Sequence, residues 1–395
     1  MRAYFAPCGM GLGHIARCEA VLAKLREHGP VDAYFATYGE ALAYARGASL
    51  KTLEIPRFKV VMKGTGEVDV ERTLCHLTPR FPWLAARQLA HDMKYMAALR
   101  PDVVISDTRA MAVLAAKMLG IPCACILNQV RVYVPRKRRM LRASRLAEVG
   151  LVATLGEVWR LADELFVPDF PEPFTISLMN LAVPKRLRDK VKLVGPMLDK
   201  RPEELPSQEE LKAELGFDPG SPLVFMPVTG TLEERPFFVK AMTEILKRIA
   251  GNPQVVISLG MPDKGEKAIV NSRDFRIFYW VNDFYAYLKA CDIVILRGGH
   301  GGIMKCMAYG KPMLIVPPPS HTEKMLNALR AKELGVARVL LQRELSEERV
   351  EKAIEDLLEG DYLDRLRAAQ EIASGLDAAG EIASAVLRLA GDSRD

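Results

Sequence analysis

At 395 residues, 49% hydrophobic and 26% charged, the chain can bury more than one core, which excludes a single small module and argues for two domains. No apolar stretch reaches the roughly 18 to 20 residues that span a bilayer, and Met1 to Pro7 runs into a glycine turn rather than a signal-cleavage site, so a cytoplasmic location is expected. The seven cysteines form no C-x-x-C pair, the six histidines form no metal-ligand spacing, and the net charge of +6 implies only a lean toward anionic partners.

Short apolar runs rich in β-branched residues alternate with longer helical patterns, the signature of parallel strands joined by helical crossovers. The first series has strands over Arg2–Pro7, Val31–Thr37, Val103–Ser106 and Cys123–Leu127, with a helix from about His14 to His28. From Phe166 to Pro222 nine prolines punctuate a stretch with few apolar periodicities, the expected linker. A second series has strands over Leu223–Val228, Gln254–Leu259, Phe275–Tyr279, Asp292–Leu296 and Met313–Val316. Beyond Arg343 the text is charged and helical, and Asp377 to Arg388 has the spacing of a helix packed across a domain boundary. The expected division is residues 1–196, 197–375 and a terminal helix in 376–395.

Two glycine turns stand out. Gly9, Gly11 and Gly13 lie between the first strand and its helix, where backbone amides and the helix N-terminus make an anion cradle. G-x-G-x-G is not the dinucleotide fingerprint G-x-G-x-x-G, and the second strand ends without an acid for a ribose, which argues against a nicotinamide or flavin cofactor. His14 follows at the helix start, where a general base facing a cleft would sit. Arg17, one turn on, suits either a phosphate or a solvated helix face. In the second half, Arg297-Gly298-Gly299-His300-Gly301-Gly302 leads from a strand into a helix, and four glycines in five positions are too costly for an ordinary turn.

These turns, with Pro317 to Ala328 after the next strand, resemble the MurG-like UDP-glycosyltransferase family across both halves and in order. The resemblance implies an α/β GT-B fold, two Rossmann-like domains facing across a cleft. It implies an inverting, metal-independent transfer of a sugar such as N-acetylglucosamine from a UDP-linked donor, with no cofactor. By this likeness His14 is the base that deprotonates the acceptor hydroxyl, and the turn with Gly9, Gly11, Gly13 and Arg17 faces the acceptor. Asp107 either orients His14 or caps a helix over Thr108 to Leu119. Thr229, Gly230 and Thr231 correspond to the turn that meets the donor diphosphate, Val281 to the backbone that reads the base, and Arg297 to Gly302 to the rest of the cradle. Glu323 and Asn327 fall in a [DE]-Q-x-x-N-A pattern near the donor sugar.

Two positions depart from the pattern. Lys305 stands where the family has a ribose-gripping glutamate, and Lys324 where it has a sugar-binding glutamine. Either a more anionic donor is accommodated or both lysines turn outward to solvent. Between Arg131 and Arg145 lie seven basic residues and no acidic one, interleaved with apolar residues. The stretch suits anionic lipid head groups or a lipid-linked pyrophosphate, or is simply a solvated face; no nucleic-acid motif accompanies it. The partners expected are therefore a nucleotide sugar and a lipid-linked or other hydroxyl acceptor, met at the cytoplasmic membrane face. A nucleotide-sugar epimerase or hydrolase, and a non-catalytic nucleotide-sugar or lipid-binding partner, are the alternatives.

Overall fold

The computed structural model describes residues 1–57, 70–128, 155–181, 189–230, 234–249, 253–319 and 321–392, with the side chains at 70–79 and 392 outside that description. The basic stretch 131–145 and Thr231 lie outside the described residues.

The first sheet is wholly parallel, in the order β3-β2-β1-β4-β5-β6-β7. Its strands are β1 (Arg2–Pro7), β2 (Asp32–Thr37), β3 (Lys51–Glu54), β4 (Val103–Asp107), β5 (Cys123–Ile126), β6 (Glu164–Val167) and β7 (Val191–Leu193). Helices α1 (Gly13–Glu27), α2 (Gly39–Gly47), α3 (Val70–Leu99), α4 (Ala110–Met118) and α5 (Leu178–Leu181) accompany it. The central strands are apolar on both faces because both are covered: Phe5, Phe35 and Ile105 face one core, Tyr4, Val104 and Cys125 the other.

The second sheet runs β10-β11-β9-β8-β12-β13-β14, parallel except for β10 at its edge. It comprises β8 (Leu223–Pro227), β9 (Gln254–Ser258), β10 (Ala268–Asn271), β11 (Phe275–Phe278), β12 (Ile293–Leu296), β13 (Met313–Ile315) and β14 (Ala337–Val339). Around it lie α6 (Gln208–Glu214), α7 (Arg235–Ile249), α8 (Phe284–Ala290), α9 (His300–Ala308), α10 (Thr322–Glu333), α11 (Glu347–Glu359) and α12 (Tyr362–Ser374).

The proline-rich stretch differs from the linker expected of it. β6 and β7 belong to the first sheet, while Phe170, Phe174 and Ile176 between them pack into the core of the second. The prolines mark chain crossing from one core to the other, not an absence of structure. The last helix, α13 (Ala378–Asp392), returns to the first sheet and lies along α1. Its Ala379, Ile382, Ala383, Val386 and Ala390 form one buried stripe at helical spacing. Ile382 and Val386 are fully buried, worth about 1.5–3 kcal/mol each. Among the described residues, no helix is long and apolar enough to cross a membrane.

In each sheet the strand order reverses direction at one place, between β1 and β4 in the first and between β8 and β12 in the second. Ligands of open α/β sheets bind outside the carboxyl ends of the strands at such points.

Candidate active site

At the first of these points β1 ends on Pro7, which pairs with Asp107 at the end of β4. The chain then makes its glycine turn against the loop leading into α2. A Cβ on Gly9 would lie 2.1 Å from the Tyr38 carbonyl oxygen, so only glycine permits this approach. Gly11 takes φ +72, and neither it nor Gly13 faces any atom within 4 Å of an added Cβ. α1 begins with no side-chain cap at Leu12, leaving its first amides directed at that open space.

His14 and Arg17 then fall on one face of α1 and converge on Asp107. His14 Nδ1 lies 2.7 Å from Asp107 Oδ1, and Arg17 donates to both carboxylate oxygens at 2.8 Å. Arg17 Nη2 is also 2.8 Å from His14 Nδ1. Arg17 Nη2 can only donate and does so to Asp107 Oδ1, so it and Nδ1 meet as two donors on one carboxylate oxygen. A lone pair on Nδ1 facing that oxygen at 2.7 Å would be repulsive, and the neutral ring therefore carries its proton on Nδ1 and its lone pair on Nε2. Nε2 has no hydrogen-bond partner among the described residues, and the side chain is 18% exposed. Burial would raise the Asp107 carboxyl, but Arg17 and then His14 outweigh it and hold it well below the ordinary range. Asp107 therefore orients His14 and does not cap α4, whose N-cap is Arg109 without a side-chain bond. Arg17 is likewise spent on Asp107 rather than solvated. Thr108, which donates to Asp107 Oδ1, sits at φ +68, a strained backbone for a β-branched residue.

At the second point, β12 runs through Arg297 and Gly298 into α9, whose N-cap Gly299 also offers no side-chain bond. Gly298 has φ +80, and its added Cβ would lie 2.5 Å from the Lys324 carbonyl oxygen. Gly299 and Gly301 face no atom within 4 Å, while Gly302 rests against Leu296. His300 turns inward: its Nε2 lies 3.0 Å from Asp169 Oδ2, and its buried Nδ1 has no partner among the described residues. Asp169 also accepts from the backbone of Phe170, Ile176 and Ser177 and from the Ser177 hydroxyl. Burial would raise its carboxyl, and these donors, His300 first, bring it below the ordinary value instead.

Beside the cradle, Lys324 donates to Glu234 at 2.7 Å, and Arg297 donates to the Glu234 carbonyl at 2.7 Å. Arg297 Nε is buried without a partner among the described residues. Arg235 donates to the carbonyls of Gly230 and Gly260 and reaches Glu40 of α2 at 3.5 Å, joining the second turn to the first half. Thr229 is exposed at this turn, with Gly230 at φ +104. Asn327 is fully buried, accepting from Asn180 at 2.9 Å and donating to the Gly298 carbonyl at 3.3 Å, so it shapes the cradle from beneath. Glu323 is half-buried and is among the charges Arg17 senses across the cleft. Val281 is in the core, and its backbone N–H and C=O have no hydrogen-bond partner among the described residues. Neither lysine turns outward. Lys305 lies over the rings of Phe284 and Tyr285, 3.9 Å from Asp199.

The structure thus gathers His14, Asp107 and Arg17 at one switch point and the 229–230 and 297–302 turns at the other. Sequence reasoning missed Asp169, Asp199, Glu234 and Arg235. Asp169 had a signal: like Asp107 it ends an apolar strand run, Leu165 to Val167.

Comparison with known proteins agrees with this architecture. Residues 1–156 match the family described as glycosyl transferase family 1, and residues 228–379 match the glycosyltransferase family 28 C-terminal domain. A Methanosarcina mazei protein named as an uncharacterized glycosyltransferase is 29% identical over 94% of this chain and 93% of its own length. A Rubrobacter xylanophilus protein named UDP-N-acetylglucosamine–N-acetylmuramyl-(pentapeptide) pyrophosphoryl-undecaprenol N-acetylglucosamine transferase is 29% identical, covering 74% of this chain and 77% of that one. The crystal structure of glycosyltransferase VinC in complex with dTDP superposes with a TM-score of 0.63 at 16% identity, covering 99% of this chain and 100% of that one.

Proposed function

We propose that this chain, a glycosyltransferase of the GT-B fold, transfers a sugar from a UDP-linked donor to an acceptor hydroxyl with inversion and without a metal. The observation that carries the reading is the orientation of His14. Asp107 fixes its tautomer so that Nε2, open to the cleft, is the basic nitrogen, across from the uncapped start of α9.

In this reaction the acceptor hydroxyl gives its proton to His14 Nε2 as its oxygen attacks the anomeric carbon. The bond from that carbon to the diphosphate oxygen breaks on the opposite face, and the electron pair leaves with the diphosphate. Amides of Gly299, His300 and Gly301, with Arg297 and Lys324, supply the charge that stabilises the leaving group. Gly299 and Gly301 are open because a side chain there would occupy the phosphate's place. Val281, with its free backbone pair, reads the base edge.

N-acetylglucosamine as the sugar and a lipid-linked acceptor rest on the name of the Rubrobacter relative. The basic stretch between Arg131 and Arg145 supports the same acceptor and a peripheral place on an anionic membrane. The test is a panel of UDP-, GDP-, ADP- and dTDP-sugars offered with polyprenyl-phosphate and soluble acceptors, with product anomer read by NMR. Inverted product from a UDP-sugar is expected. Retained configuration, or transfer only from another nucleotide, would overturn the assignment.

A further inference from the structure

A diphosphate on the start of α9 and a base at Val281 leave the ribose between them. On that placement the ribose would fall beside Lys305, which lies five residues or about 7.5 Å along α9 from His300. Phe284 and Tyr285, three and four residues beyond Val281, lie beneath its ammonium at 5.2 and 4.8 Å from the ring centroids. Burial lowers the basicity of Lys305, and Asp199 opposes that loss. The carboxylate comes from a distant segment, just past the end of β7, where the chain passes from the first sheet to the second. Asp199 Oδ2 is 3.9 Å from Lys305 Nζ and accepts from the Tyr285 hydroxyl at 3.1 Å. Its side chain remains 50% exposed, with acceptor capacity unused. An ion pair at that distance and exposure adds little to stability, so stability alone does not account for the arrangement.

We infer that Asp199, steadied by Lys305 and Tyr285, accepts hydrogen bonds from the vicinal 2′ and 3′ hydroxyls of the donor's ribose and makes this a ribonucleotide site. The inference rests on the donor reading above and names the residue that selects a ribonucleoside over a deoxyribonucleoside diphosphate. Its chemistry is plain: a carboxylate accepts from both hydroxyls of a cis-diol, and removing the 2′ hydroxyl leaves one of those bonds unmade.

Calorimetric titration of the full chain with UDP and with 2′-deoxy-UDP tests it, using wild type, Asp199→Ala and Lys305→Gln. Wild type is expected to bind UDP about tenfold more tightly than 2′-deoxy-UDP. In Asp199→Ala the ratio should fall to about one through lost UDP affinity, while 2′-deoxy-UDP binds within about twofold of its wild-type strength. Lys305→Gln should lower the ratio part of the way, since the carboxylate loses its ammonium neighbour. A wild-type ratio of one, or a ratio unchanged in Asp199→Ala, overturns the assignment while leaving UDP binding and the donor reading intact. If neither nucleotide binds wild type, the donor reading falls and this inference with it.

Discussion

Both halves of the molecule place a histidine in the first turn of a helix that leaves a glycine-rich loop, and both histidines meet an aspartate from the end of another strand. His14 and His300 look alike in sequence and in their partners, at 2.7 and 3.0 Å. They differ in which nitrogen is tied and in what the other one faces. His14 is held through Nδ1 and shows Nε2 to the cleft; His300 is held through Nε2, is 2% exposed, and turns Nδ1 into the protein. The partner aspartates differ as well. Asp107 ends a strand of the sheet from which the helix of His14 departs, whereas Asp169 follows the first sheet and grips a helix of the second. One pair holds the base proposed above, and the other joins the segment after the first sheet to a helix of the second.

The sharpest way to break this comparison is to remove each ring. His14→Ala should lower kcat about 10²- to 10⁴-fold, equivalent to about 3–5 kcal/mol, with UDP affinity nearly unchanged. Asp107→Asn should lose rate in the same direction by freeing the ring to adopt the other tautomer, measured by the same steady-state assay. His300→Ala should show the reverse pattern. Loss of a buried partner should cost stability of about 3 kcal/mol in urea unfolding, near the low end for such pairs because Asp169 keeps its backbone donors. At temperatures where that variant stays folded, its kcat should fall less than tenfold. A large rate loss in His300→Ala with normal stability would erase the distinction.

Acid should sharpen the contrast next. Asp107 and Asp169 both have folded-state pKa values below the ordinary one. The stability they contribute is present above the unfolded pKa of about 3.9 and is lost as pH falls through the folded values. Unfolding temperature should therefore drop below about pH 4, and Asp169→Asn, less stable at pH 7, should show a shallower acid slope than wild type.

The smallest effect separates glycines that serve the fold from those that serve a ligand. Gly298→Ala should destabilise, since its φ is positive and the Lys324 carbonyl blocks a Cβ. Gly301→Ala meets no protein atom and should leave stability within about 1 kcal/mol. It should instead weaken UDP binding about tenfold, measured by the same titration.

Much of this was readable from the residues. The central strands were visible as apolar runs because parallel strands buried on both faces have no polar alternation, and β1 from Arg2 to Pro7 begins and ends where the text suggests. β3 and β10 were missed because edge strands such as Lys51–Glu54 and Ala268–Asn271 carry exposed residues on both faces. β6 and β7 were hidden among prolines. His14 was legible from its place beside the glycines, but its contact with Asp107 joins residues 93 apart in sequence. The inward turn of His300 depends on Asp169, 131 residues away, and the pairing of Lys324 on Glu234, 90 away, distances at which spacing rules carry no information.

The path of the last helix has a consequence for how the protein is made. α13 supplies a buried stripe to the first domain's core, yet it is synthesised after all of the second domain. Until α13 leaves the exit tunnel, the part of the first sheet's core that it covers stays open. The earlier crossing lies beside this returning one, with Gly195 against Leu376 and Arg201 bonded to the Ser374 and Leu376 carbonyls. The returning segment thus lays a second connection alongside the first, so a nascent chain stalled short of Ala378 would hold one completed domain and one unsealed.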